Sequence, residues 1–260
     1  MKLRRALLAS GPLLGLLACA TPSLRPLPAG DPGPQALLQR WSASVADREA
    51  LRGVARLSVD SQRVGAEPVH LRSKQRVVLA RPGRLRVEVQ GFLGATLAVL
   101  AVDEQRYAFL QTEDRRFQSG DVYPALLRDV VGLDLPAPTA VDLILGVPPP
   151  GGPLRIRAAF DVGDGITRID LEGAGTRRTV DLDADARLRR WVARDVGGEV
   201  LWEARFEEYA PVAGSSVAHR ISLELRAARA VLALSGVELN PALDPDIFRL
   251  DSIGSAAEGG

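Results

Sequence analysis

Apolar and polar residues alternate along most of this chain, so it reads as rich in β-strand. Arg84-Leu-Arg-Val-Glu-Val-Gln90 puts Leu85, Val87 and Val89 on one face, the period-2 mark of a half-buried strand. Ala95-Thr-Leu-Ala-Val-Leu-Ala-Val-Asp103 is apolar on both faces, as suits a strand covered on both sides, and adds Leu97 and Val99 to the candidate interior. Between these runs, Gly91-Phe92-Leu93-Gly94 forms a turn with an apolar tip. Solvated turns favour Asn, Asp, Ser or Pro, which supply local hydrogen bonds or a preset φ. Phe92 and Leu93 are therefore either tucked under a neighbour or kept for contact with something apolar.

The same alternation predicts strands at Gly53–Asp60, Val69–Ala80 and Tyr107–Gln111, with a short one at Asp114–Phe117. Strands resume at Leu154–Phe160, Ile166–Glu172, Thr176–Leu182 and Arg187–Asp195. Glu199–Tyr209, Val217–Arg226 and Val231–Leu239 complete the set. Helical spacing shows in three places. Leu37, Leu38, Trp41, Val45 and Leu51 fall near one face, predicting a helix over about 35–50 docked through Leu38 and Trp41. Asp121 is a candidate N-cap for a helix carrying Leu126, Leu127, Val130 and Val131 and stopped by Gly132. Thr139–Leu145 is a second short helix, ended by Gly146.

Short connections force neighbouring strands to be antiparallel, and so wide a sheet must curl. The expected fold is α+β and mainly antiparallel: an incomplete, half-open β-barrel of about 11–12 strands, with short helices covering an apolar cavity. Trp191 and Trp202 lie on strands joined by a Gly197-Gly198 turn. They either pack in the core or line that cavity.

The N-terminus adds an address. Lys2, Arg4 and Arg5 precede an apolar run from Ala6 to Leu17 that is too short to span a bilayer. The run ends in Leu16-Leu17-Ala18-Cys19, which resembles the lipobox of bacterial lipoproteins. Cys19 is the single cysteine in the sequence, so lipidation also accounts for a thiol with no disulfide partner. Residues 1–18 are then a lipoprotein signal peptide and 19–34 a Pro/Gly-rich tether. Residues 35–253 form a single domain and 254–260 a disordered tail. Ala20 follows the cysteine where Asp would retain the protein in the inner membrane of enteric bacteria, so outer-membrane placement is expected.

Charge narrows the partners. The formal charge of +1 is spread evenly, which excludes a nucleic-acid footprint. No catalytic set emerges: the two histidines, His70 and His219, sit alone in separate strands. Asp181-Leu-Asp183-Ala-Asp185 lacks the Gly and distal Glu of a calcium loop and reads as a turn. No enzyme, cofactor or metal site is expected. An apolar interior under sparse helical cover suits acyl chains, each CH₂ leaving water for a gain of about 0.8 kcal/mol.

Taken in order, these features resemble the LolB-type outer-membrane lipoprotein receptors and the related periplasmic carrier LolA. The resemblance rests on Cys19, on Arg52-Gly-Val-Ala-Arg-Leu-Ser-Val59, and on the strand–Gly91-Phe92-Leu93-Gly94–strand unit. It continues in Leu133-Asp-Leu-Pro136 and Ala140-Val-Asp-Leu-Ile-Leu-Gly146. It implies a half-open barrel with a helical lid over an apolar cavity, and a monomer that takes lipoprotein acyl chains from a LolA-like carrier. Anchored at the inner leaflet of the outer membrane, such a receptor inserts its cargo there. An exposed Leu in a Pro-Leu-Gly loop assists delivery in the family; Leu93 matches it, with Phe92 in place of the Pro. The other readings are a lipoprotein of the same fold that binds another lipid or serves an envelope complex, and, a distant third, an enzyme.

Overall fold

Each alternating run becomes a strand, because residues two apart share a face and one face can be buried continuously. The computed structural model describes residues 24–62, 68–148, 154–173 and 175–248. β1 (Arg25–Pro26) and helix α1 (Pro32–Val45) precede β2 (Ala50–Ser61), β3 (Val69–Ala80) and β4 (Arg84–Gln90). A 3₁₀ turn at Phe92–Gly94 leads to β5 (Thr96–Asp103), β6 (Arg106–Gln111) and β7 (Arg116–Asp121). Helices α2 (Leu126–Val131) and α3 (Ala137–Leu145) interrupt the strands. Then come β8 (Arg155–Gly163), β9 (Ile166–Gly173), β10 (Thr176–Leu182) and β11 (Leu188–Arg194). β12 (Val200–Val212), β13 (Ser215–Leu225) and β14 (Ala228–Leu239) complete the sheet.

Among the described residues these make one 14-stranded antiparallel sheet, ordered β1-β8-β9-β10-β11-β12-β13-β14-β2-β3-β4-β5-β6-β7. It curls without closing, since β1 and β7 remain as edges. The count exceeds the expected 11–12 partly because β1 joins one edge and β7 is a full strand. The halves meet where β14 pairs with β2, Leu232 opposite Leu57 and Ala230 opposite Val59. Alternating strand direction places the β2–β3, β4–β5, β6–β7, β9–β10, β11–β12 and β13–β14 turns on one rim. The β3–β4, β5–β6, β8–β9, β10–β11 and β12–β13 turns share the opposite rim.

Three local expectations change. Residues 24–34 are no free spacer: Arg25 and Pro26 pair with Asp161 and Phe160, and the Leu27 amide donates to Ala159 at 2.9 Å. Proline is tolerated on an edge strand and at the first helical position, where its missing N–H costs nothing. Second, the first helix runs from Pro32 to Val45 instead of 35–50, capped by Asp31, whose Oδ1 accepts from the Gly33 amide at 2.8 Å. Third, Asp121 caps no helix. It ends β7, and α2 starts at Leu126 after Pro124.

Candidate functional site

The register of β3, β4 and β5 stacks one apolar phase on the concave face. Leu79 faces Leu85, Val77 faces Val87 and Gln75 faces Val89; on β5, Leu100 continues from Val87 and Ala98 from Val89. Leu85, Val87 and Val89 line a cavity of about 160 Å³, completed by residues of β2, β13 and β14 such as Leu57, Ile221 and Leu232. Leu127, Val130 and Val131 of α2 and Ala140, Leu143 and Ile144 of α3 form its roof. Among the described residues the one polar member of the lining is Gln75, whose Nε2 donates to Ser73 Oγ at 2.8 Å.

Four candidate lining residues lie elsewhere. Leu97 is 48% exposed, and Val99 packs with Ala101, Ala108 and Leu110 on the convex face. A run apolar on both faces leaves its own phase undetermined; the Val89–Ala98 register, beside a bulge at Val89/Gln90, turns the even-numbered residues inward. Trp191 and Trp202 are core residues. Trp191 stands edge-on to Trp41 at 5.8 Å and to Trp202 at 5.5 Å between ring centroids. α1 lays Trp41 on this half of the concave face, where a second cavity of about 200 Å³ has polar as well as apolar lining, Arg48 and Tyr209 beside Trp41 and Val45; α2 and α3 roof the apolar cavity of the other half. Leu57, Leu71, Ile221, Leu223 and Leu232 were missed as lining residues. Each sat on a recognised strand, but only the β14–β2 pairing brings these strands to the cavity.

Two polar contacts hold the roof. Arg48 is buried and donates through Nη1 to the Leu145 carbonyl at 2.9 Å, and through Nη2 to Ser215 Oγ at 2.9 Å and the Ser216 carbonyl at 2.7 Å. This joins the C-terminus of α3 to the β12–β13 hairpin. Burial lowers the Arg48 pKa; neighbouring Tyr209, whose phenol donates to the Leu188 carbonyl, is pushed up by burial in turn. Arg81 Nε donates to Asp142 Oδ1 at 3.1 Å, tying α3 to the β3–β4 turn. Asp142 is 1% exposed, and burial raises its pKa to about 6 against the opposing pull of Arg81.

That value exceeds the unfolded carboxylate's, near 4. The stabilisation from this group is therefore complete below about pH 4 and is lost as pH rises through about 6. Stability should fall by on the order of 2–3 kcal/mol through Asp142 between about pH 4 and 7. Asp142→Asn should flatten that part of the profile. Urea unfolding of both proteins across this range checks it, and parallel profiles would assign the slope elsewhere.

At the rim the tip is open. Phe92 is 89% and Leu93 92% exposed. The Gly91 amide donates to the Ala95 carbonyl at 2.7 Å, closing the turn, while Leu93 and Gly94 take positive φ of 59° and 83°. A Cβ on Gly91 would lie 2.9 Å from Leu97 Cδ2, so that glycine lets the flanking leucine pack close. His70 pairs with Asp60 at 2.8 Å on the surface, and Asp183 accepts from the Asp185 and Arg187 amides as a turn former. Among the described residues no group of three or more His, Cys, Asp and Glu is placed to hold a metal ion.

The sequence profile of the family "Outer membrane lipoprotein LolB" matches residues 73–235. The chain belongs to the LolB family. Its matched span runs from β3 through the β4–β5 tip and the α2–α3 roof into β14, so it contains most of the cavity wall. No curated protein matches the chain by sequence. Solved structures match in fold. A LolA superfamily protein from Nitrosomonas europaea superposes with a TM-score of 0.56 at 13% identity, covering 84% of this chain and 98% of that one. A DUF1329 family protein from Desulfovibrio piger gives 0.53 at 10% identity, covering 84% and 98%. A putative outer membrane lipoprotein-sorting protein domain from Vibrio parahaemolyticus gives 0.52 at 10%, covering 84% and 97%. Against this LolB frame, Cys19 and the signal peptide lie outside the described residues, as does the tail expected from 254.

Proposed function

We propose that this LolB-family protein is anchored to the outer membrane through Cys19, holds the acyl chains of other lipoproteins in the roofed cavity, and passes them to the bilayer at the Phe92–Leu93 tip. The observation that carries this reading is the juxtaposition of an apolar cavity with an apolar turn at its rim. Ala98 of the lining lies two residues from Thr96, where β5 leaves the tip. Cargo would come from a LolA-like carrier, with the protein acting as a monomer and without catalysis. An acyl chain gains about 0.8 kcal/mol per methylene transferred into the cavity, enough to hold cargo and reversible enough to release it.

Two experiments test this. Depletion of the protein, followed by fractionation of other lipoproteins, should show them accumulating away from the outer membrane; normal sorting would remove the delivery role. Ala98→Trp should narrow the cavity at its tip end. Excluding two or three methylenes would weaken binding of a fluorescent fatty-acyl probe by about 10- to 60-fold. A parent protein that ignores the probe, or a variant that binds it unchanged, would place lipid elsewhere.

A further inference from the structure

Among the described residues eight large apolar side chains are exposed, and seven of them lie along one rim of the sheet. Scattered apolar surface residues need no explanation, but their concentration at one end does. Phe92, Leu93 and Leu97 belong to the β4–β5 hairpin, with Phe117 beside them at the start of β7. The other three, Val196, Val200 and Leu201, form a second apolar hairpin end between β11 and β12.

This second tip is built to expose its apex. The Asp195 carbonyl accepts from the Gly198 amide at 3.1 Å, Asp195 Oδ1 from the Glu199 amide at 2.9 Å, and the Asp195 amide donates to the Glu199 carbonyl at 3.0 Å. The turn is closed by its own hydrogen bonds, Gly198 supplies the positive φ of 86°, and Val196 is left 77% exposed at the apex.

We propose that the β11–β12 hairpin is a second membrane contact, so that the protein rests on the bilayer along its rim. The proposal extends the membrane role of the Phe92–Leu93 tip and rests on it. Six strand spacings of about 4.8 Å put roughly 29 Å of curved sheet between the tips. A single tip would leave the molecule free to roll; two points hold the rim to the surface and aim the cavity end at the lipid. Charge points to an anionic lipid surface as the occupant. Arg56, Arg72, Lys74 and Arg76 are exposed on β2 and β3 and form no ion pair among the described residues, and Lys74 stands opposite Gln90 beside the first tip. Arg177 is exposed on β10, next to β11. On this rim the exposed acids stand beside exposed bases, Glu113 and Asp114 next to Arg115 and Arg116 in the β6–β7 turn and Glu199 paired with Arg226; on the opposite rim Glu104 and Asp185 pair with Arg84 and Arg187, and the exposed Asp164 pairs with no base among the described residues. Basic side chains near a bilayer are drawn to anionic headgroups, and acidic ones gain nothing there.

The test uses the lipidated full chain, in which Cys19 is taken up by the anchor, so that one introduced cysteine carries one environment-sensitive dye. Leu93→Cys, Val196→Cys and Asp164→Cys proteins are labelled, checked for an unchanged melting temperature, and reconstituted into phosphatidylethanolamine–phosphatidylglycerol vesicles. Dyes at 93 and 196 should shift to the blue and be quenched by spin-labelled lipid, while the dye at 164 stays in water. Replacing phosphatidylglycerol with phosphatidylcholine should cut the response at 196 several-fold. A dye at 196 in water while that at 93 is quenched would overturn the second contact and leave the delivery tip standing. Both dyes in water would overturn both. A response at 196 that needs an added periplasmic protein would give this hairpin to a protein partner and overturn the proposal.

Discussion

Leu93→Glu is expected to abolish most delivery of lipoproteins to membranes while leaving the folded protein almost as stable as before. Leu93 is 92% exposed, so its side chain makes little of the native packing. Exposed substitutions usually shift stability by no more than about 0.5 kcal/mol. The left-handed backbone at 59° is equally strained for Leu and Glu, so it contributes nothing to the difference. In a bilayer the two side chains part company. A carboxylate in hydrocarbon costs about 2.5–3.5 kcal/mol on insertion scales, about a 70- to 400-fold loss if the tip must enter to release cargo. Transfer of a labelled lipoprotein to vesicles, alongside thermal unfolding, measures both quantities. A large drop in melting temperature would make Leu93 a packing residue, and undiminished transfer would remove the tip from delivery.

Trp191→Ala should do the reverse, destabilising the fold without touching the cavity. Trp191 is 1% exposed and its indole lies between those of Trp41 and Trp202. Truncating a buried Trp costs about 3–5 kcal/mol, lost burial and the void left behind acting together. For a chain of this size that lowers the melting temperature by about 6–20 °C. No hydrogen bond of the indole is sacrificed, because Nε1 has no partner among the described residues. Probe binding per folded molecule should survive, since Trp191 does not line the cavity. Loss of binding at an unchanged melting temperature would put this tryptophan back among the lipid-contacting residues.

These opposite expectations come from residues that look alike in the sequence. Leu93 and Trp191 are both large apolar side chains in or near hairpins. Leu93 was legible in part, because Gly91 and Gly94 bracket Phe92 and Leu93 so tightly that at least one of the two side chains is hard to turn back onto the sheet. Trp191 was not, because a strand residue on an inward phase meets whatever the fold places opposite it. Here that is Trp41, 150 residues earlier, delivered by α1.

What the sequence determined by itself is local and periodic. Strand phase at Leu85, Val87 and Val89 follows from alternation with charged neighbours; the α3 stop follows from Gly146, which takes a φ of 67°. The Phe92–Leu93 turn follows from its glycines. What the tertiary structure alone decided depends on pairing between distant segments. The β14–β2 junction joins the halves into one sheet, the bulge-adjacent register of β5 sends Leu97 and Val99 outward, and α1 sets Trp41 against Trp191 on one half of the concave face while α2 and α3 roof an apolar cavity on the other. The rim that gathers both apolar tips exists only because strand directions alternate across the whole order. A periodic pattern states which face of a strand is apolar; it carries no information on which neighbour, helix or empty space that face will meet.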